Sequence, residues 1–416
     1  MSSGDTPVDP SERDALARLW EREAKLSPMM LMIDCDSSLP QSTGFALADA
    51  IRSDAIVSCR EPLAQRTGSH KKVIWIELAR PTSRERRDWW IRGSEKTAAA
   101  LNGHLDAIAS QFDLSPGEID AAKASAKGPD PIDLWEACRA QARTTIDDLA
   151  QRIEAISTWD DLVLPRAQIA ALQQIGAHMR QRLKVYEDWG FASMSSRGLG
   201  MSTLFAGSSG TGKTMAAEVL SNELRLDLYR IDLSQIVSKY VGETEKNLKR
   251  VFDAAEHGGV ILLFDEADAL FGKRSEVKDS HDRYANIEIS YLLQQMEAYR
   301  GLAILTTNQR SALDTAFLRR LRFIVEFPFP DASMRADIWR RVFPKATPQT
   351  GLNFTKLSRL GVPGGNIRNM ALNAAFVAAD DGEEVSMSHI LKAARMEYAK
   401  LEKPLTEAET SDWIVQ

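Results

Sequence analysis

Cysteine is scarce in this chain, three residues in 416, and none of Cys35, Cys59 and Cys138 has CxxC spacing or a histidine pair nearby. Neither a disulfide framework nor a zinc site is indicated, and the three are expected to be free, mostly buried thiols. Long apolar runs are lacking too. Near the middle of the chain the longest purely aliphatic and aromatic stretch is Val260 to Phe264, far short of the roughly 20 residues a spanning helix needs. The amino terminus, MSSGDTPVDPSERD, has neither the basic start nor the apolar stretch of a secretory signal, so the chain is expected in the cytoplasm. Positive charge is not in excess: 52 Lys+Arg stand against 58 Asp+Glu, a formal net charge of -6. That balance removes any general electrostatic pull toward nucleic acid or an anionic membrane and leaves room only for a local basic channel.

What is present is ordinary globular composition, 44% hydrophobic and 26% charged, in a chain longer than one core usually supports. Two or three folding units are expected. From Leu204 apolar strands alternate with amphipathic helices: LFAG, a helix after Thr211, DLYRIDL, a helix over Glu243 to Ala255, then VILLFD. This βαβ rhythm continues through a helix over Ile287 to Met296, the strand AILTTN, a short helix near Leu313 and the strand FIVEFPF. The expected fold is α/β, a five-stranded parallel sheet with a helical lid after Pro330. The expected division is 1–126 for a first unit, 127–156 for a connector, 157–330 for the sheet, 331–404 for the lid and 405–416 for a tail, whose terminal WIVQ either docks in a partner pocket or, as expected here, frays. Pro131 to Ile156 reads as one long helix with an apolar stripe at Leu134, Cys138, Ala142, Ile146, Leu149 and Ile153.

The first unit repeats the second from the middle of the sheet onward. MMLMID, ending at Asp34, matches VILLFD, ending at Asp265. Pro81 pairs with Pro330 and Trp90 with Trp339, both 249 positions on, and Ile119 falls on Ile367, 248 positions on. Chance similarity between two amphipathic helical hairpins is the alternative; the conserved order of the anchors favours duplication. In that reading the first unit lacks a phosphate loop and carries Cys35 where the second carries Glu266. It is expected to bind no nucleotide and to act as a structural appendage.

The chemistry concentrates in the second unit. Gly207, Ser208, Ser209, Gly210, Thr211, Gly212, Lys213 and Thr214 spell GSSGTGKT between a strand and a helix, the setting that a phosphate loop requires. Its glycines let consecutive backbone N–H groups face the β-phosphate of ATP, Lys213 reaches the β- and γ-phosphates, and the Thr214 hydroxyl is a ligand for Mg2+. The run Val260 to Phe264 lifts Asp265 and Glu266 to the carboxyl edge of the sheet, where ligands gather. There Asp265 would hold the metal through water and Glu266 would act as general base. An isolated acidic pair at a strand end is usually just solvated; the preceding phosphate loop sets this one apart. Asn308 closes the neighbouring strand and can orient the lytic water, although alone an asparagine there is a turn residue. Arg319, Arg320 and Arg322 form either a solvated face or arginine fingers.

These elements together resemble the AAA ATPase family over roughly Trp159 to Leu401. The resemblance implies a ring, a homo-hexamer, with Arg319 and Arg322 in the two finger positions and the backbone of WDDLVL, including Asp161 and Leu162, lining the adenine pocket. It also implies that Lys239, Tyr240 and Val241 form a pore loop that grips a protein client, with Gly272 to Asn286 as a second loop below. Asn366 stands where many relatives carry a sensor arginine, with Arg368 two residues later. More narrowly, LYRIDLSQIVSKYVGETEKNLKRVFDAAE and FGKRSEVKDSHDRYANIE resemble the ATPases of phage-tail-like contractile injection systems, which have a degenerate unit before an active one. That implies a remodeller or assembly factor for such particles. The alternative is a scaffold switched by ATP without threading, and a nucleic-acid motor ranks below both.

Overall fold

A computed structural model supplies the structure. It describes residues 5–27, 29–35, 41–59, 71–79, 81–92, 104–128, 130–146, 150–194, 200–233, 243–267, 290–310, 313 and 315–413. The chain packs as two compact units, Met1–Ala79 and Arg80–Gln416. Among the described residues no helix is long and apolar enough to cross a membrane.

In the first unit the helix Pro10–Leu26 starts at Asp9, whose carboxylate accepts from the N–H groups of Ser11 and Glu12. Two parallel strands, β1 (Leu31–Cys35) and β2 (Ala55–Cys59), pair in register from Leu31↔Ala55 to Cys35↔Cys59. Alternate β1 residues Leu31, Ile33 and Cys35 turn inward onto Leu47 and Ile51. Gly44 is required there, because a β-carbon would lie 2.6 Å from the Cys35 sulfur. At the strand end Asp34 stands opposite Ser58, whose Oγ donates to Asp34 Oδ1 at 2.5 Å.

The second unit is built on a six-stranded sheet in the order β3-β5-β6-β7-β4-β8, with β3 (Gln151–Ile153), β4 (Met201–Ala206), β5 (Leu228–Asp232), β6 (Ile261–Asp265), β7 (Leu302–Thr307) and β8 (Phe323–Glu326). The last five are mutually parallel, as the βαβ rhythm requires, and β4, β7 and most of β6 are buried on both faces. The sixth strand was not expected. The helix beginning at Pro131 ends at Ile146 rather than continuing to Ile156, and β3 pairs antiparallel with Leu228–Arg230. Pairing satisfies backbone groups that an open β5 edge would leave unpaired, and three residues are too few to overturn a helical stripe by their own periodicity.

Two helical bodies belong to this unit. The lid consists of Ala332–Arg341, Phe354–Leu357, Gly364–Asp381 and Met387–Lys400 around Trp339, Leu357, Ile367, Met370 and Ile390. The other comprises Ser83–Ile91, His104–Gln111, Pro116–Ser125 and Pro131–Ile146 around Trp90, Ile108, Ile119 and Cys138. The same contacts recur in both. Arg86 donates from Nε to the Ala109 carbonyl and from Nη1 to that of Pro81; Arg335 does the same to Ser358 and Pro330. Partner for partner, each lies 249 positions further along the chain.

The first helical body is fastened to the sheet by charge. Arg139 and Arg143 both donate to the buried Asp227 carboxylate, at the entry to β5. Burial pushes this carboxyl up, but the two guanidinium groups outweigh it and hold the group below its ordinary range. Trp135 adds a bond from Nε1 to the Arg225 carbonyl at 2.7 Å. At the other end of the chain the tail packs on the lid: Tyr398 and Gly361 both donate to Glu409, and Trp413, the one described residue of the end expected to fray, is buried in the lid core. Residues 414–416 lie outside the described residues.

Candidate functional site

β4 is fully buried between β7 and β8 and delivers the chain to Gly207, whose N–H donates to the Thr307 carbonyl at 3.1 Å. The chain must turn sharply there, since a β-carbon on Gly207 would meet the Phe327 carbonyl oxygen at 2.3 Å. Gly210 (φ +76°) and Gly212 (φ +101°) adopt backbone conformations that side chains disfavour, and the helix Lys213–Leu224 follows at once. Lys213 points back through the loop, its Nζ donating to the carbonyls of Gly207 (2.7 Å) and Ser208 (3.0 Å) and to Asn308 Oδ1 (2.9 Å). A loop of this shape, with a helix N-terminus behind it and an ammonium inside it, fits a polyphosphate anion.

β6 sets Asp265 and Glu266 beside that loop. Asp265 Oδ1 accepts from Thr306 Oγ1 at 2.6 Å, and Oδ2 pairs with Arg230 at 2.9 Å. Glu266 has φ +55°, and its N–H donates to both Asp265 Oδ1 and Thr306 Oγ1 at 3.2 Å. A non-glycine residue held in this region is uncommon and clusters at functional sites. The carboxyl edge of three adjacent strands therefore brings together Lys213, Thr214, Asp265, Glu266 and Asn308. Thr214 supplies a hydroxyl and Asp265 a carboxylate, oxygen donors suited to a hard divalent cation such as Mg2+.

The lid reaches the loop as well: Gly365 N–H donates to the Gly210 carbonyl at 2.9 Å, setting the start of helix Gly364–Asp381 against it. Arg368 is exposed on that helix, and Asn366 donates to the buried Glu397 at 2.7 Å. In the opening segment Leu162 is buried, 3.7 Å from where a Gly212 β-carbon would stand, while Asp161 faces solvent and accepts from Thr158. Arg319, Arg320 and Arg322 are exposed before β8. Arg322 N–H donates to the Ser202 carbonyl, five residues before Gly207 along β4, or roughly 16 Å at strand spacing. Its guanidinium donates to the Tyr186 hydroxyl. The backbone of Arg322 thus lies well away from the loop of its own chain. Lys239, Tyr240, Val241 and the segment 272–286 lie outside the described residues.

Sequence reasoning passed over Thr306, Arg230 and Tyr186. A polar pair, Thr306–Thr307, closing a buried strand is a readable signal for the first; the other two become evident only with strand register and tertiary packing.

Fold and loop together define a phosphate-loop α/β domain. Residues 203–330 match the ATPase family associated with various cellular activities (AAA), and residues 82–144 match the contractile injection system ATPase helical domain. Similar proteins include the proteasome-activating nucleotidase of Saccharolobus solfataricus, 32% identical over 200 residues that cover 46% of this chain and 51% of that protein. The 26S proteasome subunit RPT4 of Saccharomyces cerevisiae is 33% identical over 211 residues, 48% of each chain. An uncharacterized AAA family ATPase of Sinorhizobium fredii is 32% identical over 189 residues, 45% of this chain and 54% of that one. The chain spans about half the length of these curated relatives.

Proposed function

We propose that this protein binds ATP at Gly207–Thr214 and hydrolyses it to ADP and phosphate as a cytoplasmic ring, a homo-hexamer that remodels or assembles protein complexes. The observation that carries the reading is the Lys213–Asn308 bond at 2.9 Å, which ties the phosphate loop to the strand end beside Asp265 and Glu266. Lys213 and the loop N–H groups hold the phosphates. Glu266 takes a proton from water as its oxygen attacks the γ-phosphorus; the bond to the bridging oxygen breaks and its electron pair leaves with ADP. Asn308 orients the water. Mg2+, held by Thr214 and Asp265, would supply charge neutralisation on the phosphates.

Arg319 and Arg322 act on the neighbouring subunit's γ-phosphate, a role supported by the separation of Arg322 from its own loop. A head-to-tail contact of this kind closes into a ring. The match over 82–144 supports work on contractile injection particles, and the recurrent Arg86 and Arg335 bonds support an origin by duplication for the helical body that starts at Ser83. In the proposed ring Lys239, Tyr240 and Val241 grip the client. Lys213→Ala is expected to abolish ATP binding, and Glu266→Gln to bind ATP while losing roughly 10²- to 10⁴-fold in turnover. Parent-like turnover in Glu266→Gln, measured as phosphate release, overturns the base assignment.

A further inference from the structure

The exposed Glu266 side chain cannot take its aim from packing. Its direction must come from the backbone, and that backbone sits at φ +55°. Thr306 is 1% exposed and stands beside Asp265 in the strand register, one step beyond the Phe264↔Leu305 pair. It makes three bonds to the turn. Its hydroxyl reaches Asp265 Oδ1 at 2.6 Å and the Glu266 N–H at 3.2 Å, and its carbonyl accepts from the Ala267 N–H at 3.0 Å. A hydroxyl has one proton, and an ionised carboxylate is acceptor only, so the proton must go to Asp265. The lone pairs are left for the Glu266 N–H. One side chain thereby fixes the carboxylate and the left-handed residue after it.

We propose that Thr306 is a positioning residue for hydrolysis: its hydroxyl locks Asp265 and aims Glu266 at the attacking water. The proposal rests on the reading of Glu266 as base. Asp34 and Ser58 repeat the donor half of the arrangement at 2.5 Å, before a cysteine. The hydroxyl–carboxylate bond is therefore architecture common to both strand ends, and the bond from Glu266 N–H turns it to the aiming of a base.

The test is steady-state hydrolysis by the full chain, with ATP and Mg2+ varied separately, for Thr306→Val, Thr306→Ser and Thr306→Ala, alongside binding of a fluorescent ATP analogue. Valine keeps the shape and removes the hydroxyl. Its kcat is expected to fall on the order of 10- to 100-fold, with KM for ATP within about twofold, because the lost bond orients the reacting groups without holding the nucleotide. Serine is expected to restore kcat to within about threefold and alanine to behave as valine, since only the hydroxyl matters. A valine kcat within twofold of the parent, or a serine variant as slow as valine, overturns the proposal. So does loss of analogue binding in both valine and alanine, which makes the hydroxyl a folding requirement. Glu266→Gln in the same assay separates the layers: parent-like turnover there breaks the underlying reading, whereas an inactive Glu266→Gln beside a parent-like Thr306→Val breaks only the role of Thr306.

Discussion

The strand ends of β1 and β6 are built alike and finish differently. Asp34 takes a hydrogen bond from Ser58 on the next strand, and Asp265 takes one from Thr306. The residue after the aspartate is Cys35 in one and Glu266 in the other. Each helical body repeats the lesson: Arg86 and Arg335 make the same pair of carbonyl bonds, and Trp90 and Trp339 are both buried. Yet Gly365, at the start of a lid helix, meets the phosphate loop, while Arg139 and Arg143 of the first body hold the entry of β5 through Asp227. The two places share packing and differ in chemistry. In the reading proposed here, a scaffold of this kind serves as an active site in one place and as a brace in another.

The sharpest way to break that contrast is at the arginines. If Arg319 and Arg322 serve a neighbour, Arg322→Ala should lose roughly 10³-fold or more in turnover. Mixing it with Lys213→Ala subunits should recover part of the loss, because each variant then supplies what the other lacks. No recovery at any mixing ratio, followed by phosphate release, argues for a role within one subunit. Tyr186 sharpens the same point, since its hydroxyl accepts from the Arg322 guanidinium. Tyr186→Phe should give a smaller loss, on the order of tenfold, with KM unchanged.

Next in size is the brace. Asp227→Ala leaves Arg139 and Arg143 without their buried carboxylate and should cost about 3 kcal/mol, the low end for a broken buried pair because both arginines keep some solvent. The readout is urea denaturation of the full chain; a change under 1 kcal/mol would make the clamp ornamental. The pH dependence has a definite sign. A carboxyl held below its ordinary range contributes its full stability above the unfolded value of about 3.9 and loses it as pH falls through the lowered folded value. Asp227→Asn should therefore lower stability near neutrality and flatten its acid limb, the difference from the parent narrowing as pH falls through the lowered folded value.

How much of this was legible in the sequence follows from what each feature depends on. β4, β6 and β7 announced themselves as apolar runs, because a strand buried on both faces can contain little else. The phosphate loop was legible because its glycines are demanded by local backbone geometry, seen at Gly210 and Gly212. β3 was not, since three residues carry no period and their strand character comes from the open edge of β5. Thr306 and Arg230 escaped for a related reason. Their meaning lies in register with Asp265, and register belongs to two strands at once. The tail escaped because the burial of Trp413 depends on a lid surface assembled from residues far from it in sequence.

The smallest expected effect is the most pointed. Ser58→Ala removes the counterpart of the Thr306 bond from a strand end that lacks a glutamate. Asp34 is exposed and Ser58 only half-buried, so the lost bond is replaced by water and the apparent Tm should fall by no more than about 4 °C. Turnover should not change at all. ATP should likewise give no thermal shift to the transition of this unit, followed by scanning calorimetry, because a ligand stabilises only a state that binds it. Comparing Ser58→Ala with Thr306→Val then isolates what the glutamate adds, since the same hydroxyl–carboxylate bond is cut in both. If Ser58→Ala lowers kcat as Thr306→Val does, the first strand end takes part in catalysis and the division into brace and active site fails. If both leave kcat alone, the bond is architecture in both places and Glu266 takes its aim from something else.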